Sequence, residues 1–448
     1  MNPLPRSAVA TVLFCLSAMT QPTSAITLPT TQPSPAVYRQ LADDVELNLK
    51  NEILGKWYPR AVDEKNGGFH QNFNQDWTPG RAGVKGAVYQ SRLTWTATQA
   101  AGHFPAEAKM YEAAARHGLQ FLTTKLWDAQ HGGFFWSVDD SGVPTPGRGM
   151  NDGRTKQGYG NAFAIFAAAS VYKLTKDPAA LDLAKKGFAW YDQHGHDNVN
   201  GGYFEILTPE GTPDLATTPA VGGGPNSKSM NTSIHLLEAY TALYEVWPDP
   251  LVKQRMQEMY EICRDKLYAD PGYLILFFTA DWKPKPNAED SYGHDVETAF
   301  LLTEAAHVLG IPDDAKAWDV SKKLVDHAIA VGWDKERGGL YNHGGIDGGH
   351  YAPQREWWVH AEFLNALLLL HERYGRDNPI YWQTFLAQWD WVNRYGIDRK
   401  NGGWWPHVNN DGTPVDGPKS DAWTECYHQG RAMLTVCNRL RKLAETVK

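Results

Sequence analysis

The sequence predicts an all-α fold, an (α/α)6 barrel in which twelve helices form two concentric rings, with short β-hairpins at one end. Three observations predict it. The first is a glycine phrase that returns along the chain, as NGGF at 66–69, HGGF at 131–134, NGGY at 200–203, RGGL at 337–340 and NGGW at 401–404. Its first glycines stand at 67, 132, 201, 338 and 402, so the intervals are 65, 69, 137 and 64 residues. The long interval is two periods, with a degenerate copy at Pro271, Gly272 and Tyr273. Six units of near-equal length result, each too short to bury its own apolar face, so they must stack or close on one another. The second observation is helical periodicity between the glycine phrases, with apolar residues at three- and four-residue spacing and alanine-rich faces. The third is the absence of long β-branched runs, which argues against a parallel sheet.

Residues 1–25 read as a secretion signal, with Arg6 in the positive region, an apolar stretch at 8–18 and small residues Thr23, Ser24 and Ala25 before cleavage. That stretch is too short to cross a bilayer, and no later segment is long and apolar enough for a membrane span. The expected location is periplasmic or secreted. Residues 26–38 read as a flexible leader and 39–448 as a single catalytic domain. Helical patterns then run in pairs: 87–100 and 109–126, 160–174 and 180–191, 230–246 and 252–267, 294–309 and 314–331, 356–373 and 380–395. Two helices per unit and six units make twelve. Pieces just after the glycine pairs, such as 134–138, alternate weakly and finish in Asp-Gly turns at Asp152, Asp347 and Asp411, the pattern of short hairpins. An open solenoid is the alternative, but it wants polar-faced terminal repeats. The last unit instead carries Trp404, Trp405, Trp423 and His428, which suits a pocket wall.

Composition narrows the function. The formal charge is −8, basic residues are dispersed and no nucleic-acid reader motif occurs, so a nucleic-acid partner is disfavoured. Once the signal and its Cys15 are removed, Cys263, Cys426 and Cys437 remain, too few for a disulfide framework in a chain this long. Cys426 reads as unpaired, with a nucleophilic role the minor reading. Eighteen tryptophans and twenty tyrosines, several beside turn glycines, suggest flat platforms for an uncharged ligand such as a sugar.

Three of the sixteen histidines stand out: His235, His294 and His428. Glu238 follows His235 by three residues and Glu297 follows His294 by three, a spacing that shares one helix face. All three histidines fall at or near starts of inward helices, in units three, four and six, so a closed ring lets them converge. Packed core histidines, a zinc site and hydrolysis by paired acids stay open at this point.

The segments 228–240, 292–302, 356–362 and 423–431 together resemble the N-acylglucosamine 2-epimerase superfamily, and within it the cellobiose 2-epimerases. The likeness runs from about Leu41 to Leu443, and the family's fold is an (α/α)6 barrel. The resemblance implies that Arg92 contacts the sugar near its reacting carbons. It implies that His294 and His428 are acid–base histidines on opposite faces of C2, that His235 assists ring opening, and that Glu238 and Glu297 support them. Trp357 or Trp358, with Trp423, would lie near the reducing-end sugar, and Tyr159 and Asn161 would line the pocket. No cofactor and no metal are implied. With the ring open, the C1 aldehyde makes the C2 proton removable by an imidazole. His428 would remove it, Arg92 would stabilise the cis-enediolate, and His294 would return a proton on the other face. A Glu297–His294 contact would favour the charged imidazole. Export favours a β-1,4-linked reducing disaccharide as the small-molecule partner, and a monomer is expected. A mannose or N-acylglucosamine epimerase, an aldose–ketose isomerase, a glycoside hydrolase and a non-catalytic glycan-binding protein are the alternatives.

Overall fold

In the computed structural model, residues 26–81, 83–146, 153–220, 223–286 and 288–446 are described. The expected secretion signal, Asp152 of the first Asp-Gly turn and Cys15 lie outside them. Among the described residues are twelve helices of at least 12 residues. They are α1 (Pro35–Asn48), α2 (Ala87–His103), α3 (Ala108–Phe121), α4 (Gly158–Thr175), α5 (Pro178–Gly195) and α6 (Met230–Val246), followed by α7 (Pro250–Glu261), α8 (Tyr292–Leu309), α9 (Ala315–His327), α10 (Trp357–Tyr374), α11 (Ile380–Trp391) and α12 (Tyr427–Thr446).

The even-numbered helices pack side by side in the order α2, α4, α6, α8, α10, α12 and back to α2, which closes an inner ring. Each odd-numbered helix packs outside one of them, and α1 joins the two ends of the chain by lying on α12. Burial separates the rings. Inner α10 buries fifteen of its 18 residues, whereas outer α9 buries six of 13. A helix apolar all round belongs inside, and an amphipathic one belongs at the surface. Five outer helices finish in a π turn, at Leu49–Leu54, Leu122–Leu126, Ile262–Lys266, Ala328–Gly332 and Val392–Gly396.

The glycine phrase works at the seam between units. In all five full copies both glycines have positive φ, from 66° to 85°, a region that only glycine enters without strain. An aspartate just upstream caps the same turn through Oδ1; Asp63, for example, accepts from the backbone N–H groups of Lys65 and Asn66. Its other oxygen receives a buried cation from just before the next inner helix: Lys85 to Asp63 at 2.6 Å, Lys156 to Asp128 at 2.7 Å, Lys228 to Asp197 at 2.7 Å, Lys419 to Asp398 at 2.7 Å, and Arg355 to Asp334. In the degenerate unit Asp290 stands in the cation's place, against His327 Nε2 at 3.1 Å.

Among the described residues the expected hairpins are short: Tyr268–Ala269 pairs with Tyr273–Leu274 in the degenerate unit, and most close through a single bridge, such as Val138 to Pro144 and Val408 to Pro414. Their first arms pair instead with the neighbouring unit. Lys85–Gly86 lies antiparallel to Ser137–Val138, and Gln354–Glu356 to His407–Asn409. Phe73 bridges to Ser420, joining the first unit to the last. These short ladders hold the N-terminal ends of the inner helices in a circle.

The leader expected at 26–38 is shorter than its sequence suggested and lies against the barrel. Ser34 caps α1, whose first turn begins at Pro35, and Tyr38 is buried with its hydroxyl 2.7 Å from His371 Nε2. Upstream, the Ile26 N–H donates to the Lys335 carbonyl and the Trp382 indole N–H donates to that of Thr31. Proline at the first helical position and a serine N-cap are the signals that place the start.

Candidate active site

Every inner helix points its first residues into one cavity of about 310 Å³ at the ladder end of the barrel. Arg92 comes from α2, Tyr159 from α4, His235 from α6, His294 from α8, Trp357 and Trp358 from α10, and His428 from α12, with Trp423 on the segment leading into α12. Six helix N-termini facing one space give it a positive potential, suited to an anionic intermediate. The Trp358 ring lies 4.9 Å from that of His294 and 5.2 Å from that of His428, so one indole touches both imidazoles. Its own N–H donates to Glu356 Oε2 at 2.9 Å, which sets the plane of the ring.

The three histidines differ in what stands behind them. His235 Nδ1 pairs with Glu238 Oε2 at 3.0 Å, and His428 Nδ1 with Glu362 Oε1 at 2.8 Å. A carboxylate on Nδ1 favours the tautomer that leaves the Nε2 lone pair for the cavity. Among the described residues His294 has a neutral hydrogen-bond partner, the Ser291 hydroxyl, 2.6 Å from its Nδ1. Burial pushes His294 well below the usual histidine range, and His343, His235, His428 and Arg92 add to this. Burial and then Arg92 push His428 the same way, against the opposing pull of Glu297.

Two guanidinium groups organise the carboxylates. Arg92 donates to Glu425 Oε1 at 3.0 Å and to the Tyr159 hydroxyl at 2.9 Å, and stacks over Phe163 at 4.4 Å. Arg431, three residues beyond His428, donates to Glu238, Glu297 and Glu362. Burial alone would raise Glu238, but Arg431 and the His235 hydrogen bond outweigh it and hold Glu238 at about 2. For Glu362 and Glu425 burial wins, and both sit above the ordinary carboxylate range. Ligand atoms of Glu297, Glu362 and His428 lie within 4.8 Å of one another, close enough for a metal. Arg431 already supplies the cation there.

The sequence profile of the N-acylglucosamine 2-epimerase (GlcNAc 2-epimerase) family matches residues 67–432, which span all six glycine units and every residue of the cavity discussed above. The chain belongs to this family. It is a sugar epimerase. Among similar proteins, the cellobiose 2-epimerase of Bacteroides fragilis is 30% identical over 399 residues, covering 88% of this chain and 98% of its own. The D-mannose isomerase of Marinomonas mediterranea is 24% identical over 405 residues, covering 87% and 95%. The solved cellobiose 2-epimerase of Spirochaeta thermophila superposes with a TM-score of 0.80 at 32% identity, over 92% of this chain and 99% of its own.

In this epimerase Arg92, Tyr159, His235, His294, Trp357, Trp358, Trp423 and His428 line one cavity, as the resemblance implies, while Glu238 and Glu297 lie beneath it. Two expectations are corrected. The Glu297–His294 contact does not form: Ser291 caps the His294 imidazole, and Glu297 turns to Arg431, with its Oε1 3.8 Å from His428 Nδ1. Helical side chains lean toward the N-terminus, so the residue in the first turn finds the N-cap before it finds position i+3. Asn161 does not line the pocket. It is fully buried, accepts from the Phe134 N–H at 3.0 Å and donates to the Gln157 carbonyl at 2.8 Å. Gln90 in α2 holds Phe69 in the same way, so Asn161 is an anchor for the residue after a glycine pair. Asn161→Ala is expected to cost about 1–3 kcal/mol of stability, from the stranded Phe134 N–H, with KM unchanged; denaturant unfolding and saturation kinetics check this.

Sequence reasoning missed Glu362, Glu425 and Arg431. All three lie in segments already singled out; Glu362 is a charge inside a helix buried on nearly all sides, Glu425 precedes α12 and Arg431 lies in its second turn, and only the closed ring shows that they meet the histidines and Arg92. Cys426 is fully buried and unpaired, and burial followed by Glu425 pushes its thiol well above the usual range, the opposite of a nucleophile.

Proposed function

We propose that the protein inverts C2 of a reducing β-1,4-linked disaccharide, with cellobiose as the reference substrate, through ring opening and a cis-enediolate and without a redox cofactor. The observation that carries this reading is the placing of His294 and His428 in one cavity against a shared indole. His235, oriented by Glu238, shuttles the proton between O1 and the ring oxygen. His428 then takes the C2 proton through Nε2. Its carboxylate backing suits it to carry the positive charge, which Ser291 does not offer His294. Arg92 faces the charge that develops on O1 and O2. After rotation about the C2–C3 bond, His294, charged by a proton taken up from solvent, protonates the opposite face, and His428 releases the C2 proton to solvent. The reverse reaction exchanges the two roles.

The choice of a disaccharide leans on the cellobiose 2-epimerase relatives and on the secretion signal expected at residues 1–25, which would bring the protein to extracellular glycan fragments. The D-mannose isomerase relative favours a second reading, in which the C2 proton returns to C1 on the same face and a ketose forms. Incubation with cellobiose, mannobiose, lactose, mannose and N-acetylglucosamine in deuterated water separates the two. The expected product is 4-O-glucosyl-mannose carrying deuterium at C2. A ketose alone supports the isomerase reading, and an unlabelled, unchanged set of sugars rejects both.

A further inference from the structure

Arg431 lies on α12 one turn below His428 and is buried. One of its terminal nitrogens donates to Glu238 Oε1 at 2.5 Å and to the Tyr427 hydroxyl at 2.6 Å. The other donates to Glu362 Oε1 at 2.7 Å and to Glu297 Oε1. Glu238 stands on α6, Glu297 on α8 and Glu362 on α10, so a single planar fork ties four of the six inner helices together. The remaining Glu238 oxygen holds His235, and the Glu362 oxygen that Arg431 binds also holds His428.

We propose that Arg431 is a positioning residue that locks the carboxylate behind His235 and the carboxylates behind His428 into one frame, so that ring opening and C2 proton transfer act on the same bound sugar in register. The proposal rests on the epimerase reading above and assigns a residue that never touches the sugar. A displacement of one carboxylate moves both imidazoles, and an error of about 1 Å is enough to cost on the order of 100-fold in rate. The fork is essential. A lysine ammonium keeps the charge but cannot face three carboxylates in a plane.

The far end of the barrel supplies the means to test it. There five of the six inner helices, all but α10, enclose a second cavity of about 230 Å³, lined by Trp95, Phe166 and Phe300 together with Arg431 and Glu238. The ion pair of Lys173 and Glu245, 56% and 37% exposed, marks its mouth. Removing the Arg431 side chain opens this cavity onto the carboxylates, so a small guanidinium ion can reach them without crossing the sugar site.

Arg431→Lys is expected to lower kcat by about 30-fold or more with KM within about twofold. Arg431→Ala is expected to lose more and to regain at least about tenfold with methylguanidinium in solution, while methylammonium restores nothing. Wild-type kcat in the lysine variant overturns the proposal, and so does a folded alanine variant that responds equally to both cations. If thermal melting shows the alanine variant unfolded, the lysine variant decides by its kcat alone. Absence of C2 deuterium labelling in the wild-type protein rejects the epimerase reading instead, and is distinguishable because it precedes any substitution.

Discussion

His428→Ala is expected to lose about 10³-fold or more in kcat for epimerisation, about 4 kcal/mol of transition-state stabilisation, with KM changed by no more than a few-fold. Among the described residues the histidines packed against this indole are His294 and His428, and in the proposed mechanism His294 serves the opposite face. The variant leaves Glu362 and Arg431 paired, so the carboxylate frame survives and the loss is chemical. His294→Ala supplies the contrast. It stops inversion but leaves His428 to remove and return the C2 proton on one face, so deuterium enters the unchanged sugar and ketose accumulates. The pair is read by proton NMR at C2 in deuterated water. Loss of exchange in both variants, or in neither, contradicts the division of labour. The pH dependence follows from the direction of the shift. Because burial holds His428 well below the ordinary histidine range, the neutral base persists under mild acid. The acidic limb of kcat/KM therefore falls below about pH 6.5, the midpoint of an unperturbed histidine.

The ring was legible because its cause is local. Two adjacent glycines with positive φ stand at five of the six seams, and a requirement repeated that often leaves a period in the sequence. The paired ions at the same seams were not legible. Each buried cation stands 21 to 31 residues downstream of its aspartate, a spacing set by loop length and not by any helical or strand period. The site divides the same way. His235 and Glu238 share a helix face and meet as their spacing implies, whereas Glu297 shares a face with His294 and yet pairs with Arg431 on another helix. Which inner helices face one another across the axis is a property of the closed ring, so Glu362 and Arg431 became visible as functional residues only in three dimensions. Asn161 failed for the opposite reason. Its position beside Tyr159 invited a pocket role, while the glycine repeat and Gln90 at the matching place in α2 point to an anchor.

Arg92→Lys is expected to lower kcat by about 10²- to 10³-fold, some 2.7–4 kcal/mol, with a much smaller change in KM. The wild-type guanidinium spends one arm on Glu425 and another on Tyr159, and its face is packed on Phe163 and Tyr427, so its position is fixed before the sugar arrives. A lysine satisfies one of those partners at a time and cannot hold the fork toward two enediolate oxygens. Arg92→Met separates catalysis from folding. It leaves Glu425 buried without its cation, a change of the kind that costs about 3–5 kcal/mol. Burial already raises Glu425 against the pull of Arg92, and removing that pull raises it further. A carboxyl raised in the folded state binds its proton more tightly there than in the unfolded chain. Its penalty is therefore absent below the unfolded carboxylate range and grows as pH rises toward the folded value. The methionine variant is accordingly expected to melt closest to wild type in mild acid and furthest from it at neutral and alkaline pH, by thermal unfolding across that range. A melting difference independent of pH would show that Glu425 keeps a second cation, and that Arg92 is held in place by its aromatic neighbours alone.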